Sequence, residues 1–120
     1  MARHNEIGKV GEELAVQYLL DKQWVILERN WRSGHKEVDI IADHNGDLII
    51  VEVKVRKFIG NERIEEHIPW RKQQHLIRTA NAYLAYRKLD KGVRFDIILI
   101  TGDPGRYRIE HIENAFSPWD

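Results

Sequence analysis

The sequence contains no cysteine, which excludes disulfides and Cys-ligated zinc. No apolar run approaches the roughly 20 residues that span a bilayer, so no membrane association is expected. There is no net charge either: 19 basic residues balance 19 acidic ones, and any attraction to a polyanion has to come from a local patch. The six histidines show neither HxxxH nor HxH spacing, which argues against a histidine zinc site. No P-loop, GxGxxG or nucleophile elbow occurs, and Ser33 and Ser117 sit in no hydrolase-like context. Repeats, low-complexity tracts and linkers are missing too. The opening residues, MARHNEIGKVGEE, lack the apolar core of an export signal, and a cytoplasmic location is the expectation.

What is present suits one domain over residues 1–120, with 42% hydrophobic and 32% charged residues. Ile7, Val10, Gly11, Leu14 and Tyr18 form one stripe at helical spacing and predict a helix over 5–22, with Asn5 as N-cap. Residues 24–30 predict an edge strand. Residues 37–43 and 48–55, rich in Val and Ile, flank His44-Asn45-Gly46-Asp47, and Asn-Gly is a strong hairpin signal. A charged irregular loop over 58–68 leads to a second helix over about 70–88, with Leu76, Ile77, Ala80, Tyr83 and Leu84 on its inner face. The nearly continuous apolar run 94–100 predicts a strand covered on both faces, and 106–112 a further edge strand. The order α-β-β-β-α-β-β predicts an α/β fold, a central mixed β-sheet with a helix on each face.

The hairpin places chemistry-bearing residues together. Symmetry about Asn45-Gly46 puts Asp39 opposite Glu52 and Glu37 opposite Lys54. With period-two alternation, these four side chains leave one face, while Val38, Ile40, Val51 and Val53 leave the other. Two opposed carboxylates among apolar neighbours are costly unless a cation lies between them. Mg²⁺ or Mn²⁺ accepts such oxygen ligands, with the Val53 carbonyl as a third donor. Lys54, on the same face, can orient an attacking water or offset phosphate charge; its alternative role is a cross-strand ion pair with Glu37. A hairpin bulge would disturb this alignment.

Glu12 lies at the edge of the first helix's apolar stripe and can reach toward the pair, or remain a solvated helix glutamate. Gly8, one turn earlier, leaves room for another element. Basic residues gather as Arg29, Arg32, His35 and Lys36, and as Lys54, Arg56 and Lys57 with Arg63, Arg71, Lys72 and Arg78 further on. Each run can equally be a solvated surface. Of the four tryptophans, Trp70, beside Pro69 and Arg71, is the better stacking candidate, with packing at the helix start as its commoner alternative role.

Gly8 to Ala15 (GKVGEELA), Arg29-Asn30-Trp31-Arg32, Glu37 to Ala42 (EVDIIA) and Val51 to Arg56 (VEVKVR) together resemble the YraN-like family of small bacterial proteins. Lys72, Leu76, Ala80, Tyr83-Leu84 and Arg94-Phe95-Asp96 extend the resemblance over nearly the whole chain. It implies a restriction-endonuclease-like domain similar to Holliday-junction resolvases. It also implies a helix glutamate, an aspartate and a Glu-x-Lys strand motif, here Glu12, Asp39, Glu52 and Lys54. The chain departs from the family pattern at His35-Lys36, where a glycine usually precedes the residue equivalent to Glu37.

Two functions follow as expectations. One is an Mg²⁺- or Mn²⁺-dependent endonuclease on nucleic acid, with branched DNA as one candidate substrate. In it Asp39, Glu52 and Val53 hold the metal, and Arg32, Lys36, Arg56, Lys57 and Lys72 hold the phosphate backbone. The other is a non-catalytic nucleic-acid-binding or adaptor module on a nuclease scaffold, to which zero net charge is better suited. Paired cutting of a junction would call for a homodimer, for which the 106–112 edge or the Phe116 to Trp119 tail are candidate interfaces.

Overall fold

The computed structural model describes residues 2–56, 68–103 and 105–118, with side chains from residue 8 onward. The elements follow the expected order: α1 (Ala2–Asp21), β1 (Val25–Ser33), β2 (Lys36–His44), β3 (Asp47–Arg56), α2 (Trp70–Arg87), β4 (Val93–Thr101) and β5 (Arg108–Phe116). The predicted loop over 58–68 falls almost wholly outside the described residues, as do Lys57, Arg63 and Trp119. No described helix is long and apolar enough to cross a membrane.

The five strands lie in chain order, β1-β2-β3-β4-β5. All neighbours are antiparallel except β3 and β4, which run parallel because the connection through α2 returns the chain to the same end of the sheet. The apolar run in β4 is buried from Phe95 to Ile100, as expected of a strand covered on both faces.

Two cores result. On one face α2 brings Leu76, Ala80 and Tyr83 against Val38, Ile41, Leu48, Ile50, Phe95 and Ile97. On the other, α1 brings Ala15, Val16 and Leu19 against Ile40, Ala42, Ile49, Val51, Ile98 and Ile100. The close approach of α1 depends on Gly11, where an added Cβ would lie 2.3 Å from Val55 Cγ2. Sequence reasoning assigned that role to Gly8, but Gly8 has open space around its Cα. At its C-terminus α2 stops on Lys88 in the left-handed conformation, φ 54°, and the Leu89 N–H closes back onto the Leu84 carbonyl at 2.9 Å.

β5 runs four residues past its predicted end, and Asp96 is the reason. The β4–β5 register shifts between Phe95 and Ile97. Into that bulge Asp96 accepts the Asn114 N–H (2.9 Å), both arms of the Arg94 guanidinium (2.9 and 2.8 Å) and His111 Nε2 (2.8 Å). Burial raises the pKa of this carboxylate, but the hydrogen bonds from His111, Arg94 and the Asn114 N–H outweigh it and hold the pKa below its ordinary value; the same bonds lash β5 to the sheet past the irregularity.

Candidate metal and nucleic-acid site

The site grows from a local failure of sheet pairing. β2 and β3 hold the predicted hairpin register from His44–Asp47 to Ile40–Val51, where the ladder ends. On the other side of β2, pairing skips from Arg29–Ile40 to Trp31–Val38, and Asn30 between them is left-handed at φ 53°. Asp39 therefore sits where both flanking ladders are interrupted. Its carboxylate enters the gap and its Oδ2 accepts the Val53 N–H at 2.8 Å. N–H and C=O of one strand residue point to the same neighbour, so the Val53 carbonyl faces that gap as well.

This corrects one expectation. Strict alternation places Val38, Ile40, Val51 and Val53 on a single face. In the structure Val38 packs on the α2 side, whereas Ile40, Val51 and Val53 pack on the α1 side. The irregularity at Asn30 and Asp39 absorbs the change. Asp39 is consequently reached from both layers, by Glu52 on the α2 side and by Glu12 of α1 on the other.

Asp39 and Glu52 are brought together as predicted. Burial first, then a hydrogen bond and charge repulsion from Glu52, push the Asp39 carboxyl up to about 8; Glu12 adds to the rise and the Val53 N–H opposes it. Protonation of Asp39 relieves the repulsion between the two carboxyls, as a cation would. Glu12 lies in the same cleft, its side chain only 16% exposed. Asn30 Nδ2 donates to its Oε1 at 2.7 Å, and Arg29 lies 3.6 Å from that oxygen while pairing with Glu13 at 2.6 Å. The cleft encloses about 630 Å³ and is also lined by Arg32, Glu37, Val53 and Gly8.

The remaining predicted residues divide. Lys54 is half-buried two residues beyond Glu52 on β3, opposite Leu99 in the β4 register. Glu37, its partner in the alternative role, accepts a hydrogen bond from Arg32 Nε at 3.1 Å. Lys72 reaches Glu52 from α2, with Nζ 3.4 Å from Oε2. Lys36 lines a neighbouring groove with Lys72. Arg56 is exposed at the end of β3, and Lys57 lies outside the described residues. Sequence reasoning missed Asn30, although asparagine is disfavoured inside strands and so marks an irregularity there.

Among the described residues, the group of three ligand-type side chains whose donor atoms all lie within 4.8 Å is a different one: Asp96, His111 and Glu113. Asp96 already takes four donors, and Arg94 also lies 3.6 Å from Glu113. A metal there would have to displace the Arg94 guanidinium from the buried Asp96 carboxylate, and the cluster is accounted for as the staple of β5. Glu12, Asp39 and Glu52 are not drawn in so tightly. Glu12 and Glu52 instead lean toward resident basic or amide partners.

Residues 11–100 match the profile of the uncharacterised protein family UPF0102. The chain belongs to this family. A UPF0102 protein of Bacteroides thetaiotaomicron is 46% identical over 118 residues, covering 98% of each chain. One from Persephonella marina is 46% identical over 110 residues, covering 91% of each, and one from Flavobacterium johnsoniae is 42% identical over 120 residues, covering 97% of this chain and 98% of its own. The matched residues include Glu12, Asp39, Glu52, Lys54 and Lys72.

Proposed function

We propose that this UPF0102 protein is a metal-dependent nuclease that hydrolyses phosphodiester bonds in nucleic acid. The observation that carries the reading is the Asp39–Glu52 pair, set in an interrupted sheet and sharing a hydrogen bond where two ionised carboxylates would repel. An oxygen-rich donor set of this kind suits Mg²⁺ or Mn²⁺, which favour one or two carboxylates with water and phosphate completing the shell. Asp39 accepts the Val53 N–H through Oδ2, and once its proton is lost the carboxylate has charge and lone pairs to offer such an ion. Glu52 and the Val53 carbonyl supply further oxygens.

When bound, a divalent ion polarises the scissile phosphate and lowers the pKa of an attacking water. The chain's own groups do the rest. Asp39 gives up its proton to become a ligand. Lys54, beside Glu52, orients the water or offsets growing charge on the phosphate. Glu12, held by Asn30, presents a carboxylate on the opposite side of the cleft and positions water there. Arg32, exposed at the rim, and Arg56 hold the backbone without reading sequence.

The second reading, a non-catalytic nucleic-acid-binding module, is favoured by one observation: Glu52 is neutralised by Lys72, Glu12 leans on Asn30 and Arg29, and Asp39 holds a proton, so the site tolerates its own acids without an ion. A cleavage assay separates the two. Single-stranded, duplex, flap and four-way-junction DNA, and RNA, are incubated with Mg²⁺, Mn²⁺ or EDTA, using wild type and Glu52→Ala. Metal-dependent cutting lost in the variant supports the nuclease. Binding without cutting on any substrate supports the module.

A further inference from the structure

Beside the acidic cleft, on the α2 side, lies a second groove of about 290 Å³ between the β1–β2 turn and the first turns of α2. His35, Lys36, Lys72 and His75 supply most of its polar lining, with Leu76 and Thr79 at its floor. Glu37 lines both grooves, so the two share a wall, and its charge is taken by Arg32. Arg71 and Arg78 add to the field. His75 is held below its ordinary pKa, first by desolvation and then by Lys36, Arg78, Lys72 and Arg71. This is a concave patch of concentrated positive charge on a chain with no net charge, and it adjoins the carboxylate pair. Lys72 belongs to both places: it lines the groove, and its ammonium rests on Glu52, which is itself hydrogen-bonded to Asp39.

We propose that this groove binds a backbone phosphate of a single nucleic-acid strand, and that Lys72 couples that phosphate to the metal site by moving from Glu52 to the phosphate. The proposal rests on the nuclease reading. Without nucleic acid, Lys72 neutralises Glu52 and competes with a cation for it. A phosphate in the groove offers Lys72 a doubly hydrogen-bonding anion close to Lys36 and His75, and Glu52 is released to the ion. Metal and strand therefore bind with positive cooperativity, and by linkage each raises the affinity of the other by the same factor. The ion is then held firmly only when a strand is in place. Lys72 is a positioning residue in this scheme, acting on the metal through Glu52.

Two titrations test this on the full chain. Mn²⁺ binding is followed by calorimetry in the absence of nucleic acid, for wild type, Lys72→Met and Asp39→Asn. Binding of a fluorescently labelled 12-nucleotide single-stranded DNA is followed by anisotropy in EDTA, for wild type, Lys36→Ala and Lys72→Met. Removing a half-exposed cation from Glu52 is expected to tighten Mn²⁺ binding roughly three- to tenfold. The same substitution, and Lys36→Ala, should each weaken the oligonucleotide several-fold and lower its salt dependence. A merely structural Lys72 would move both affinities in the same direction or neither. If wild type and Lys72→Met both fail to bind Mn²⁺, the metal-site reading fails and the coupling with it. If wild type binds Mn²⁺ through Asp39 and Lys72→Met leaves that affinity unchanged or weaker, the coupling alone is overturned. Oligonucleotide affinity indifferent to Lys36 and Lys72 overturns the groove.

Discussion

Replacing Asp39 with asparagine should make the metal-free protein more stable at alkaline pH, although it removes a proposed metal ligand. The folded carboxyl is raised from 3.8 to about 8, mainly by burial and by Glu52. Between these values the unfolded chain has already lost the proton that the folded chain keeps. The folded state binds more protons there, so its stability falls as pH rises through the window. At 1.36 kcal/mol per pH unit the gap sets a ceiling of about 6 kcal/mol. Water entering the open cleft and the nearby Lys72 ammonium reduce what is realised, and about 2–4 kcal/mol is expected at pH 9. Asparagine keeps an oxygen for the Val53 N–H and carries no charge to bury. Urea unfolding in EDTA, followed by tryptophan fluorescence, should find the two proteins alike near pH 4 and Asp39→Asn the more stable at pH 9. Added Mn²⁺ should then raise the wild-type midpoint and leave the variant's unmoved. A variant no more stable than wild type at pH 9 would refute the argument that Asp39 is ionised at a cost in this gap.

The same chemistry predicts that Mn²⁺ affinity rises with pH up to about 8 and levels off above it, with proton release detectable in buffers of different ionisation enthalpy. Gly11→Ala should destabilise the fold by about 1–3 kcal/mol in urea melts, because its Cβ would meet Val55 at 2.3 Å, whereas Gly8→Ala should be nearly neutral. Asp96→Asn should cost about 3 kcal/mol by leaving the Arg94 guanidinium without its buried partner, and hydrogen exchange should quicken first along β5. Trp70→Ala should weaken single-stranded DNA binding in anisotropy titrations by about 1 kcal/mol or more while shifting the urea midpoint little, since the residue is 71% exposed at the start of α2.

The sequence by itself determined the element order, the two-sided burial of β4, the hairpin register about Asn45-Gly46 and the meeting of Asp39 with Glu52. Each of these follows from short-range rules: period-two or helical spacing of apolar residues, a turn dipeptide that sets which residues oppose, and the alternation of side chains along a strand. The three family acids and the lysine lie within or beside those elements, so they were legible too. What only the tertiary structure decided concerns places where a local rule is broken by a contact from far along the chain. Asn30 in a left-handed conformation and the interrupted ladders at Asp39 shift Val38 and Ile40 to opposite faces, and period-two reasoning has no means of placing such a break. Lys72 meets Glu52 across a gap of twenty residues because α2 packs beneath β2, and Gly11 rather than Gly8 is the contact glycine because α1 crosses β3 at Val55. Asp96 holds β5 beyond its predicted end for the same reason. Hydrophobic periodicity reports which way a residue points along its own element, whereas pairing between elements depends on how two faces are docked, and that is set by the whole core at once.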